Sequence, residues 1–263
     1  MFTSFRNFPR NKSKSVFTHL FVFRSMNTNN VTDTLRQKTI SENLEDVRGR
    51  IRAIKEARLV AVSKYKPVTD IIYAYEAGQR HFGENYVQEL VEKATELPND
   101  IQWHFIGHLQ SNKCKTLAAI PNLWAVETID SKKKADTLNK ACAAREDPLR
   151  VFIQVNTSNE ESKGGIKPDE SIDVARHIIE NCPKLELTGL MTIGAADHDP
   201  ANGPNPDFKC LADCKNSVEQ TLKIELELSM GMSDDFEHAL EMGSTNVRVG
   251  STIFGARPQK RAD

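Results

Sequence analysis

No apolar run in this sequence approaches the roughly 20 residues needed to cross a bilayer. The longest, Val16 to Phe23, is short and broken by His19, so no membrane span is expected. Excess charge is also missing: the net charge is −1 at pH 7. Its distribution is uneven. Residues 1–30 hold Arg6, Arg10, Lys12, Lys14 and Arg24 and no acid, a balance of +5 that leaves −6 for residues 31–263. An acidic body lacks the basic face that neutralises phosphates, which argues against nucleic acid as a partner. Cysteines are few and odd in number, five in all, at 114, 142, 182, 210 and 214. That scatter gives no disulfide framework and points to a reducing compartment. Cys210 and Cys214 share a helix face, but no second ligand pair accompanies them, so packing is the reading ahead of metal. Finally, no composition break or long linker divides 31–263.

The 263 residues suffice for a single large domain, and single α/β barrels commonly run near ~250 residues. The first 30 residues are a basic, Ser-, Thr- and Phe-containing tail, either disordered or resembling a mitochondrial presequence, with Met26 an alternative start to Met1. The cytoplasm is the expected location, the mitochondrion the alternative. From Thr34 onward Ile40, Leu44, Val47, Ile51 and Ile54 recur at helical spacing. Thereafter short apolar strands alternate with amphipathic helices. Strands are expected at 58–63, 79–82, 101–106, 123–127, 150–156, 186–192, 225–229 and 246–249. Helices are expected near 67–77, 85–97, 110–119, 131–145, 168–181, 206–221 and 233–242. Asp130, Ser131 and Ser233 are candidate N-caps, Pro168 suits a first turn, and Gly243 suits a helix end. Eight alternating units predict an α/β fold, a single (β/α)8 TIM-type barrel over 31–263 with an extra N-terminal helix. An open doubly wound sheet is the second reading.

In a barrel the strand ends carry the chemistry. Lys64 follows Leu59-Val60-Ala61-Val62-Ser63 and would enter a partly desolvated mouth as an amine nucleophile, unless it is a surface lysine just past a strand. Ser229-Met230-Gly231-Met232-Ser233 and Arg248-Val249-Gly250-Ser251 follow strands seven and eight, where phosphate commonly sits in this fold. The parity of Arg248 turns it inward, toward a ligand or toward a carboxylate such as Glu84 or Glu127. Asn85 either contacts the ligand or caps the next helix. His104 and His108 flank strand three and read as packing or ligand-lining rather than a metal pair.

Val62-Ser63-Lys64, His81-Phe82-Gly83-Glu84-Asn85-Tyr86, Trp103-His104-Phe105-Ile106-Gly107, Gly189-Leu190-Met191-Thr192, Ser229-Met230-Gly231-Met232-Ser233 and Val247-Arg248-Val249-Gly250-Ser251 resemble the motifs of the pyridoxal-phosphate homeostasis proteins, in family order over about residues 35 to 258. The resemblance implies a barrel like the amino-terminal domain of alanine racemase, holding pyridoxal 5′-phosphate (PLP) as a Schiff base on Lys64. It implies cofactor contacts from Asn85, Ser229, Ser233, Gly250 and Ser251, with Arg248 near the ring nitrogen. It implies a role in vitamin B6 homeostasis, with no catalytic residue and no metal assigned. PLP-dependent apoenzymes are the expected recipients, and a monomer is expected. The racemases add a carboxyl-terminal β-domain with a catalytic tyrosine. This sequence ends soon after Phe254-Gly255-Ala256-Arg257, so a missing second acid/base is expected. Two other functions are weighed: a racemase-like PLP enzyme, for which Tyr65 or His104 would have to be the second base, and an aldolase-like barrel acting on a sugar phosphate through Lys64.

Overall fold

The computed structural model describes residues 30–160, 163–195, 198 and 203–256. The basic stretch with Met26, and Arg257 onward, lie outside the described residues. The chain opens with α1 (Asn30–Ile54) and then alternates: β1 (Arg58–Val62), α2 (Val68–Glu76), β2 (His81–Glu84), α3 (Val87–Glu96), β3 (Gln102–Phe105) and α4 (Cys114–Ala118). It continues through β4 (Leu123–Ile129), α5 (Lys132–Ala141), β5 (Leu149–Gln154), α6 (Ser171–Asn181), β6 (Leu185–Met191) and α7 (Pro206–Leu222). β7 (Glu227–Ser229), α8 (Phe236–Glu241), β8 (Asn246–Val249) and the short α9 (Ser251–Phe254) complete it. All eight strands are parallel and close into a barrel in chain order, with Leu59 of β1 opposite Val247 of β8 and Val60 opposite Arg248. Closure rules out the open sheet. Among the described residues no helix is long and apolar enough to cross a membrane.

The strand alternation explains the layering. Leu59, Ala61, Phe82, Trp103, Phe105, Val126, Val151, Ile153, Leu190, Leu228, Val247 and Val249 face the helices and are buried with them in one continuous core. The other parity points into the barrel, where Ala125, Phe152 and Met191 form a small apolar plug. His104, Glu127, Ser229, Asn246 and Arg248 share that interior, each 4 % exposed or less. The stripe Ile40, Leu44, Val47 and Ile51 is buried as expected. It docks α1 beside α2 and α8, where Arg36 bonds Asp70 at 3.0 and 2.6 Å and Arg50 bonds Glu237 at 3.0 and 2.5 Å.

Several local expectations shift. Ser131 caps α5, accepting from the Lys134 N–H, while Asp130 pairs with the Lys134 ammonium instead of capping. The eighth helix begins at Phe236 rather than 233, with Asp235 rather than Ser233 at the cap position, and the Asp235 carboxylate accepts the Met232 N–H of the preceding turn at 2.6 Å. Asn85 does not cap α3, which starts at Val87 after Tyr86.

Candidate functional site

The carboxyl ends of β1, β2, β3, β6, β7 and β8 border a cavity of about 320 Å³. Its wall includes Lys64, Asn85, Ser233, Arg248, Gly250 and Ser251. Six of the seven residues expected at a ligand therefore meet there, from segments nearly 190 residues apart in the chain. Ser229 is the exception. Its hydroxyl lies in the barrel interior under Arg248, donates to Glu127 Oε2 at 2.5 Å and accepts from Arg248 at 2.6 Å and Asn246 at 2.9 Å. These bonds brace Arg248, and Ser229 does not line the cavity.

The backbone on either side of Lys64 is fixed by buried polar contacts. Ser63 donates its hydroxyl to Glu84 Oε1 at 2.6 Å, and its carbonyl accepts from the Lys93 ammonium at 2.8 Å. Lys93 also donates to Glu84 and to Glu89 at 2.7 and 2.6 Å, and Glu89 in turn accepts the Tyr65 N–H at 2.7 Å. Burial raises the Glu84 carboxyl, opposed by Lys93 and Ser63. Tyr65 stands at φ +61°, so the chain turns sharply after Lys64. Lys66 reaches the other way, donating to the carbonyls of Phe254, Gly255 and Ala256 at 2.9–3.1 Å. Glu84, read as a possible partner of Arg248, thus serves Lys93.

Asn85 Oδ1 is buried without a hydrogen-bond partner at the cavity wall. An orphaned acceptor in a polar, ligand-sized hollow is the mark of a missing donor. Gly107 allows this placement: a Cβ there would lie 1.9 Å from the Asn85 carbonyl oxygen. On the opposite wall Ser233 Oγ accepts the Gly250 N–H at 3.2 Å, leaving its own O–H to donate elsewhere. Gly231, at φ +94°, turns the loop after β7 that carries Ser233, and a Cβ there would stand 2.6 Å from the Ala239 side chain.

Arg248 is anchored by Ser229 and by the Thr192 carbonyl at 2.8 Å, and its counter-charge is Glu127, reached through Ser229. Glu127 also accepts from Asn246 at 3.1 Å and lies 2.6 Å from His104 Nδ1. Burial alone would raise the Glu127 carboxyl, but the His104 hydrogen bond, with Arg248 and Ser229, holds it down at about 2. Burial lowers the His104 imidazole, so it stays neutral and donates Nδ1–H to the carboxylate. Its Nε2 then accepts from His81 Nδ1, 2.9 Å away. A polar file thus runs from the start of β2 through the barrel to the cavity. Sequence parity pointed at Arg248 and Glu127, but Asn246, Lys93 and His81 were missed. The only signal for them is a polar residue inside an apolar strand or on a buried helix stripe.

His81 is pushed down to about 3 from 6.5, first by burial, then by His104 and Arg58. Between those values the unfolded chain binds a proton that the folded chain refuses, so stability falls as pH drops, by at most roughly 1.4 kcal/mol per pH unit. Between about pH 7 and about pH 5, the wild type is expected to lose up to about 2 kcal/mol more than His81→Asn in urea unfolding. Equal losses in the two proteins would show that His81 is not held neutral.

His108 is exposed, its Nδ1 4.0 Å from Asp130 Oδ2, and does not approach His104's interior position. Tyr65 is 47 % exposed and bonds the Tyr86 hydroxyl. Neither Tyr65 nor His104 lines the cavity.

Three comparisons bear on this geometry. The family model described as alanine racemase, N-terminal domain, matches residues 35–258. A pyridoxal phosphate homeostasis protein of Homo sapiens is 53 % identical over 212 residues, 77 % of each chain, and one of Schizosaccharomyces pombe is 48 % identical over 226 residues, 85 % of this chain and 95 % of that one. The structure of PipY of Synechococcus elongatus PCC7942 with PLP bound superposes with a TM-score of 0.70 at 31 % identity, covering 82 % of this chain and all of that one.

Proposed function

The chain belongs to the alanine racemase N-terminal-domain family and, within it, to the pyridoxal phosphate homeostasis proteins, and on that premise we propose that it holds pyridoxal 5′-phosphate at the barrel mouth as a Schiff base on Lys64, without turnover. The observation that carries this reading is the convergence on one cavity of an amine, two serine-bearing loops after β7 and β8, a buried guanidinium and an orphaned amide oxygen. About 320 Å³ lies within the range of small-ligand sites. The cofactor, when bound, supplies an aldehyde for the amine and a ring able to accept electrons. Lys64 supplies the nucleophile. Ser233 and Ser251 supply hydroxyl donors for the phosphate, beside the Gly250 backbone. Asn85 Oδ1 accepts a hydrogen bond that no protein group offers it. Arg248, a permanent cation, opposes protonation of a ring nitrogen beside it, since a nearby positive charge depresses a base.

The phosphate assignment has a direct test. Ser233→Ala or Ser251→Ala removes one hydroxyl donor to a charged group, worth roughly 1.5–3 kcal/mol. PLP release is expected to quicken by about 10- to 100-fold, while binding of pyridoxal, which lacks the phosphate, changes little. Equal weakening of both ligands places the phosphate elsewhere.

The reading of no turnover is supported by the positions of the two candidate second bases. Racemisation needs proton donors on both ring faces, and Tyr65 and His104 do not reach the cavity. Incubation with L-alanine in deuterated water is expected to give no D-alanine and at most slow exchange at Cα. D-alanine at about 1 s⁻¹ or faster, an enzyme-like rate, establishes the racemase instead. In this reading the protein keeps a reactive aldehyde bound and passes it to PLP-dependent apoenzymes.

A further inference from the structure

α5 and α6 pack side by side on the outer wall of the barrel, away from the cavity, and three side chains of different chemistry meet between them. His177 Nε2 lies 2.7 Å from Asp136 Oδ1, and Cys182 Sγ lies 3.7 Å from the same oxygen. All three ligand atoms fall within 4.8 Å of one another. Cys182 is 1 % exposed, whereas the Asp136 side chain is 44 % exposed. The cluster therefore has a closed floor and an open side. Among the described residues no other group of three such side chains converges in this way.

We propose that Asp136, His177 and Cys182 form a three-ligand site for a borderline-soft divalent cation, zinc foremost, with solvent completing a tetrahedron. The donor set makes the choice. One thiol, one imidazole and one carboxylate suit zinc, whereas calcium and magnesium take oxygen ligands. Zinc–ligand bonds of about 2.0–2.3 Å set tetrahedral donors about 3.3–3.8 Å apart. The sulfur–carboxylate separation of 3.7 Å already meets that spacing. The imidazole–carboxylate contact of 2.7 Å must open by under about 1 Å, a movement available to half-exposed side chains on a surface.

The neighbouring groups favour the same outcome. Asn181 Nδ2 lies 3.5 Å from His177 Nδ1. Amide nitrogen and oxygen are interchangeable by a flip, and the flipped oxygen accepts from Nδ1–H and leaves the Nε2 lone pair for a metal. The segment after α6 is tied down by the Lys184 N–H to Asn139 Oδ1 at 2.9 Å and the Lys184 ammonium to the Arg145 carbonyl at 2.7 Å. The ligands are thus gathered before any ion arrives. Binding forms the metal–sulfur bond and releases the thiol proton to solvent. The bound ion would clamp α5 to α6.

The test is cobalt(II) titration of the full chain, read as difference spectra so that any absorbing cofactor cancels. One equivalent is expected to give a thiolate-to-cobalt charge-transfer band and the visible bands of tetrahedral cobalt, both removed by zinc. Cys182→Ser is expected to lose the charge-transfer band, and Cys210→Ser to keep it. Should Cys182→Ser not fold, His177→Gln at the surface reads the same loss of binding. Asn181→Ala is expected to bind zinc about 10- to 100-fold more weakly. No cobalt–thiolate band in the wild type, or a band that survives Cys182→Ser or disappears with Cys210→Ser, overturns the site. None of these readouts depends on the ligand at the barrel mouth.

Discussion

Lys64→Ala is expected to abolish the adduct that borohydride fixes between the protein and PLP, leaving the barrel folded. Two lysines line the cavity, Lys64 and Lys66, and they are in different situations. The Lys66 ammonium donates to three carbonyls at the end of α9, and burial, with Arg36 nearby, lowers its pKa. Its amine is engaged away from the ligand, and freeing it would strand three acceptors. Lys64 stands directly after β1, where the strand delivers its side chain to the mouth. Intact mass after borohydride is therefore expected to show a stoichiometric increment in the wild type and none in Lys64→Ala, with unchanged circular dichroism. A peptide map placing the increment on Lys66 would falsify the assignment, and an undiminished increment in the variant would do the same.

The second large effect is expected at Glu127. This carboxylate is fully buried and ionised, and it faces the buried Arg248 guanidinium across a serine hydroxyl. Removing one partner of such a pair leaves the other charge uncompensated and typically costs about 3–5 kcal/mol. Glu127→Ala also strips partners from Asn246, Ser229 and His104 at once. Urea unfolding of the ligand-free protein is expected to show a loss of about 3 kcal/mol or more, while Ser229→Ala, which leaves both charges in place, loses less. A loss for Glu127→Ala below about 1 kcal/mol would mean that Arg248 draws its compensation from elsewhere. The charge has a pH signature of its own. Its folded pKa, about 2, is below the ordinary 4.5. Its contribution is therefore complete above about pH 4.5 and is lost as pH falls toward about 2.

Much of this fold is legible in the sequence because each unit is short and locally consistent. The apolar parity of Leu59-Val60-Ala61-Val62 and the turn at Pro67 place Lys64 at a strand end, where the structure has it. Boundaries drift where a side chain replaces a backbone partner. β2 begins at His81 rather than 79, because the buried Gln79 amide donates to the Leu59 and His81 carbonyls and holds that residue in the preceding turn. The candidate site was legible as a set of loop motifs, but not in its support. Ser229 bonds Glu127 across 102 positions and Asn246 bonds it across 119. Periodicity reports that such residues face inward, yet which one a given inward residue meets depends on strand stagger around the closed barrel. Ser229 reads from the sequence as a loop donor, and its bonds to Glu127, Asn246 and Arg248 are not visible there.

The three residues Ser63, Tyr65 and Lys66 are each fastened to a different part of the molecule: the β2 carboxylate Glu84, Glu89 of α3, and the last turn of α9. The main chain at Lys64 is thus immobilised before any ligand arrives. Ligand capture at this mouth carries little conformational entropy cost from the loop, so its enthalpy and entropy of association should resemble those of a rigid host. Loosening any of the three tethers would shift that balance, making capture more costly in entropy while the contacts to the ligand stay the same.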